Sequence, residues 1–324
     1  MSPANSDAMG GLLRTAAIVA AALCAIAGEA GAQAALNYRS AEPRALVRVW
    51  TQLPEQQRAP IVDAMAERRD EVLPALWEAA RFGTAQEKLF ACGMIAELRD
   101  RDGVDVLVDA SADADVRVRR RAATALRILA DRRAAPRLRA ILRTESDLGT
   151  VKTALAALGK LGQARDARLV GSFLDHADAN VRVVAAGALA MLGDERGLDL
   201  VLQATASTDP AVQKNATYAL GLFRAPAAGA KLDAILADPQ SAWRAYALLG
   251  QAERALHGQT PARQVALLDE LAQIRSRTVA EWAVDRLTDL GGPDAAAALQ
   301  RASQRSTPVG KLAARRLAIV EQQP

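Results

Sequence analysis

Apolar and polar positions along most of this chain follow the period of an amphipathic helix, and the pattern itself repeats. The clearest copy is 178–193, DANVRVVAAGALAMLG. Counted from Val181, its apolar residues fall at 0, +4, +5, +7, +8 and +11. At about 100° per residue these positions share one helix face. Asp178 is placed to cap the helix, since its carboxylate can accept from the free N–H groups of the first turn. Gly193 is placed to end it, because glycine enters the left-handed conformation without steric cost.

The same pattern opens at Thr84, Asp115, Asp147, Asp209, Asp238, Ser276 and Ser306, so it recurs about every 31 residues. Between Asp238 and Ser276 the interval is longer by about seven residues, and Gly258-Gln259-Thr260-Pro261 reads as the loop that fills it. Thr260 would cap the next helix, with Pro261 at its first position. A second helix lies between successive copies, as at 167–174, 198–205 and 227–237. One helix pair cannot bury its apolar faces alone, whereas stacked pairs share a continuous core. The predicted fold is all-α, an α-solenoid of antiparallel helix pairs. Residues 41–80 predict two divergent helices, after Pro54 and after Asp70. Terminal units of a stack meet solvent on one side and are therefore atypical.

The copies resemble the short bacterial HEAT-like repeats associated with phycobilisome lyases, with the pattern D-x-x-V-R-x-x-A-A-x-A-L-x-x-L-G. The match is strongest at Asp115 and Asp178 and covers 84–324, behind divergent capping helices at 35–83. The resemblance implies a stacking ladder of Asp and Arg from successive repeats, here Asp115, Arg119, Asp178 and Arg182. The other copies break it, with Val151, Gln213 and Ala242 at the arginine place. The resemblance also puts the template helices on the concave surface.

At the start of the chain, Arg14 precedes an uncharged apolar run to Gly28, followed by Ala32-Gln33-Ala34. This reads as a cleavable signal peptide at 1–34, cut after Ala34, and as export to the periplasm or beyond. The run is shorter than the ~20 apolar residues of a spanning helix, so no transmembrane helix is expected in the mature chain. Cleavage would leave Cys92 as the one cysteine, at a core position, with no intramolecular disulfide possible.

Composition adds little chemistry. The formal net charge is +4, too small to imply nucleic acid by itself. The two histidines, His176 and His257, stand in different repeats. No paired-cysteine metal motif, phosphate loop or nucleophile elbow appears. The reading is a non-catalytic scaffold with no cofactor and no metal, whose concave face binds a protein or peptide. The alternative is an enzyme, or an accessory subunit of one, acting on a modified protein.

Inner-face positions of the template helices carry the candidate binding residues: Phe90, Arg120, Arg121, Arg127, Tyr218, Trp243, Arg244 and Trp282. Lys152, Lys160, Met191, Leu222 and Asp289 share that face. Trp, Tyr and Arg are the residue types that anchor interfaces, and aromatic residues are only 3% of this chain. Small residues at +6 (Gly93, Thr124, Ala156, Gly187, Ala247) predict an open channel floor. The competing expectation is tight curvature, in which inner side chains of neighbouring repeats cover one another. A run of arginines at 117–143 offers a second surface, for an acidic protein or an anionic envelope ligand. Nucleic acid is disfavoured there, because no base-stacking aromatics are interleaved.

Overall fold

The computed structural model describes residues 38–322. The expected signal peptide therefore lies outside the described residues. Every regular element among them is helical. None of these helices is long and apolar enough to cross a membrane.

The chain divides into two compact units, with the boundary between Ala125 and Leu126. Unit 1 holds α1 (Pro43–Gln52), α2 (Ala59–Glu67), α3 (Arg69–Phe82), α4 (Ala85–Glu97), α5 (Val104–Ala110) and the first part of α6 (Val116–Leu129). Unit 2 holds the end of α6 and then α7 (Ala135–Thr144), α8 (Leu148–Leu161), α9 (Ala167–Gly171), α10 (Ala179–Met191), α11 (Leu198–Ala204) and α12 (Pro210–Ala219). It continues through α13 (Pro226–Ala237), α14 (Arg244–Leu256), α15 (Pro261–Ala272), α16 (Arg277–Leu290), α17 (Gly292–Ser303) and α18 (Pro308–Glu321).

The caps explain where these helices start. The side chains of Asp147, Asp178 and Asp209 accept from the backbone N–H of Thr150, Val181 and Ala211, each at 2.8 Å. Thr84 forms a capping box with Glu87, satisfying two orphan donors at once. Thr260 accepts from Arg263 N–H, with Pro261 opening α15. Gly162 and Gly193 take φ of 65° and 85° where α8 and α10 stop, a conformation that a Cβ would strain.

One copy departs from the pattern. Asp238 ends α13 instead of starting the next helix, and its carboxylate accepts from Gln240 N–H at 2.9 Å. The turn runs on to Trp243, and α14 begins only at Arg244. Its inner-face positions therefore fall two residues later than the period predicts, with Arg244 at the arginine place where the period puts Ala242.

In unit 2 the second helix of each pair packs on the second helix of the next, in the order α8, α10, α12, α14, α16, α18. Alanines and leucines fill the layers. Ala186, Ala216, Ala219, Leu220, Phe223, Leu232 and Ala247 form one continuous buried cluster. Gly221 meets Gly250 so closely that a Cβ on Gly221 would lie 2.3 Å from the Gly250 Cα.

Candidate functional site

The inner row of unit 2 curves until α8 and α16 meet. Lys160, in the last turn of α8, pairs with Asp289 near the end of α16 at 3.1 Å. Helices packed side by side lie about 8–10 Å apart, so four steps of a straight row would span roughly 32–40 Å. Lysine and aspartate side chains cannot bridge that gap. The second helices therefore occupy the inside of a strong curve. Lys160 Nζ also lies 3.5 Å from the Ile128 carbonyl of α6.

A polar network lines this curve. The Tyr218 hydroxyl donates to Glu253 at 3.2 Å. Arg286 donates to the other oxygen of Glu253 at 3.3 Å and lies 5.9 Å from the Trp282 ring centre. Burial, then the charge of Glu253, push the Tyr218 hydroxyl above the ordinary tyrosine pKa. Arg286 and Arg127 oppose the shift, so both guanidinium groups act on this hydroxyl. Arg127 makes no ion pair among the described residues. Further along the same surface, Lys214 lies 5.9 Å from the Tyr246 ring centre and Trp243 lies 6.2 Å from the same ring.

The structure brings together Arg127, Tyr218 and Trp282 of the predicted residues and adds Glu253, Arg286 and Tyr246. Glu253 and Tyr246 escape a strict period because the structural register of the Asp238 copy lies two residues later. Arg286 escaped because it occupies a +7 position, which holds alanine in the Asp115, Asp147, Asp178 and Asp209 copies (Ala125, Ala157, Ala188 and Ala219); an arginine in that column, repeated at Arg316 in the Ser306 copy, is the signal that would have found it.

Other predicted residues go elsewhere. Phe90 is in the core at 3% exposure, stacked on Trp50 with ring centres 4.2 Å apart, so it cannot serve as a surface anchor. Its +3 position leans on the N-terminal helices. Arg244 turns back to the carbonyls of Leu236 and Asp238 and closes the end of α13. Trp243 is half-buried in the turn before α14. Arg120 and Arg121 are exposed on the unit 1 part of α6. The Arg121 guanidinium covers Gly93, and Leu222 covers Gly187. The small +6 residues at these two places thus receive a neighbouring side chain and do not form an open channel floor.

Asp115, Arg119, Asp178 and Arg182 act within their own repeats. Arg182 donates to the carbonyls of His176 and Ala177 at 2.7 and 2.9 Å. Arg119 donates to those of Asp113 and Ala114 at 3.1 and 3.0 Å. Each guanidinium thus closes the turn after the first helix of the pair, where carbonyls lack helical partners. Gln213, which breaks the expected ladder, does the same at 3.0 Å from the Thr205 carbonyl. Asp178 caps α10, while Asp115 holds Arg117 at 2.6 Å, and that hydrogen bond helps lower its carboxyl to about 2.

The arginine-rich stretch is largely engaged in structure. Beyond Arg117 and Arg119, Arg133 pairs with Asp131, and Arg139 grips the buried Asp166 at 2.6 Å. In unit 1, Phe82 is 82% exposed beside a cavity of 180 Å³ that Val47, Ala75 and Ala79 also line. His176 accepts from Asp178 N–H in its turn. No cluster of His, Cys, Asp and Glu able to hold a metal occurs among the described residues. Cys92 is buried, and burial pushes its thiol up to about 12.

The family description "HEAT repeats" matches residues 73–159 and 167–252, more than half of the chain. No curated protein matches the sequence. Among solved structures, the complex of CpcE and CpcF of phycocyanin lyase from Nostoc sp. PCC7120 is similar at 18% identity and a TM-score of 0.49. That match covers 77% of this chain and 93% of the other. An engineered protein is similar at 18% identity and 0.38, covering 95% and 99%. Human deoxyhypusine hydroxylase, solved in complex with glycerol, is similar at 17% identity and 0.36, covering 82% and 100%. No activity transfers at such identities.

Proposed function

Because the chain belongs to the HEAT-repeat family, we propose that it is a non-catalytic scaffold that holds a protein or peptide segment on the inner face of unit 2. The observation that carries this reading is the convergence of Arg127, Tyr218, Glu253, Trp282 and Arg286 on the inside of the curve. Half-buried aromatic and guanidinium groups combine a large apolar contact with directional hydrogen bonds, which is the chemistry of interface hot spots. A curved row of helices offers such groups along an extended strip, and a flexible segment can follow it.

Export belongs to the same proposal, resting on Arg14, the apolar run and Ala32-Gln33-Ala34. N-terminal sequencing of the protein from its native host tests it; a start at Ala35 supports export, and a start at Met1 or Met9 opposes it. Binding is tested by comparing the tagged native chain with its Tyr218→Ala, Trp282→Ala variant in co-purification from envelope fractions. A partner kept by the first and lost by the second, at unchanged helicity, supports the reading. A partner that comes with both rejects this face.

A further inference from the structure

The inner face of unit 2 has an uneven charge balance. Its carboxylates Glu253, Asp289 and Asp285 are taken by Arg286, Lys160 and Arg316, at 3.3, 3.1 and 2.9 Å. Three cations are left over, and one of them, Lys214, lies 5.9 Å from the Tyr246 ring centre. Arg127 and Lys152 are half-buried, and neither makes an ion pair among the described residues. Lys152 precedes Lys160 by eight residues on α8, a little over two turns, which returns it toward the same face. A half-buried cation with no counter-charge is a favourable place for an incoming carboxylate, because removing water strengthens the attraction. Nearby, the Tyr218 hydroxyl and the Trp282 ring offer a hydrogen bond and an apolar wall.

We propose that the segment bound on the inner face of unit 2 is an acidic peptide, with its carboxylates received by Arg127 and Lys152. This rests on the proposed function above and names its ligand chemistry. The segment alternates acidic and apolar residues, the first facing the unpaired cations and the second facing Tyr218, Trp282 and Leu222. Nucleic acid is a poorer fit, because Glu253 and Asp289 interrupt the positive strip and would repel a continuous phosphate backbone.

The test uses the full chain and fluorescence anisotropy. The probes are a labelled (Glu-Gly-Leu)4 peptide, its (Lys-Gly-Leu)4 counterpart and a 20-nucleotide single strand. Two double variants are compared: Arg127→Gln with Lys152→Gln on the inner face, and Arg143→Gln with Arg168→Gln on exposed positions of α7 and α9. Both remove two positive charges, so net charge is controlled, and circular dichroism checks that each remains helical. The expected result is binding of the acidic peptide that weakens with salt, at least tenfold weaker in the inner variant and within twofold in the outer one. Equal losses in both variants, no binding of the acidic peptide, or tighter binding of the lysine peptide or the oligonucleotide would overturn the proposal. If the acidic peptide fails while Tyr218→Ala, Trp282→Ala still loses its co-purified partner, the scaffold reading stands and this one falls.

Discussion

Lys160 and Asp289 are 129 residues apart in sequence and 3.1 Å apart in space, joined across the inner face of unit 2. Both side chains keep about a third of their exposure, 30% and 27%. Partly solvated pairs of this kind contribute ~0.2–1 kcal/mol. A double-mutant cycle of Lys160→Ala and Asp289→Ala in urea should give a coupling in that range. The coupling should fall toward zero at 1 M salt, where the screening length is about 3 Å. No coupling at low salt would mean that the two helix ends do not meet in solution.

Arg182 and Gln213 perform one task with different chemistry. Each closes the turn that precedes its own helix, through carbonyls of residues 176 and 177 or of residue 205. Arg182→Ala should therefore destabilise by about 1.5–3 kcal/mol, the range for hydrogen bonds to a charged group. Arg182→Gln should recover part of that loss, since glutamine already serves at the equivalent place in the next repeat. Urea denaturation midpoints of the two variants decide this.

The Tyr218 hydroxyl titrates above the ordinary tyrosine value in the folded chain, through burial and then the Glu253 charge. Folding thus favours its neutral form. The stabilisation is fully present below about pH 10, the unfolded value, and is lost as pH rises through the folded value. In an ultraviolet titration, Tyr218 should ionise last or only on alkaline unfolding. Glu253→Gln should bring that step to lower pH, because it removes a raising charge. An unchanged step would place Glu253 away from the hydroxyl.

Gly221 and Gly187 are both glycines on the second-helix row, yet alanine should affect them differently. A Cβ on Gly221 would meet Gly250 backbone at 2.3 Å, where nothing can yield. Gly221→Ala should cost about 1–3 kcal/mol as an overpacked contact. At Gly187 the nearest atom is the end of the Leu222 side chain at 3.2 Å. Gly187→Ala should be near neutral, since the gain in helix propensity, up to ~1 kcal/mol, offsets a small shift of that leucine. Thermal unfolding of the two variants makes the comparison.

The helix order was legible in the sequence because each repeat states its own start, core and stop. Asp147, Asp178 and Asp209 cap as their spacing requires, and Gly162 and Gly193 end their helices with positive φ. The site was only partly legible, because a period fixes a residue's angle on its helix and says nothing of how far the stack bends. Bending decides that Leu222 covers Gly187 and that Lys160 reaches Asp289. One irregular turn, Asp238–Trp243, moved the inner positions of α14 and hid Tyr246 and Glu253. Phe90 shows the same limit in unit 1: its helical angle is that of a surface residue, and packing against Trp50 buries it.

The most direct test of the scaffold reading is site-specific photo-cross-linking in the native host. A benzophenone amino acid replaces Leu222, half-buried on the inner face, or Ala266, exposed on α15. Irradiation should give a discrete cross-linked protein product from position 222 and none from position 266. A product of equal yield from both positions, or from position 266 alone, would contradict the account.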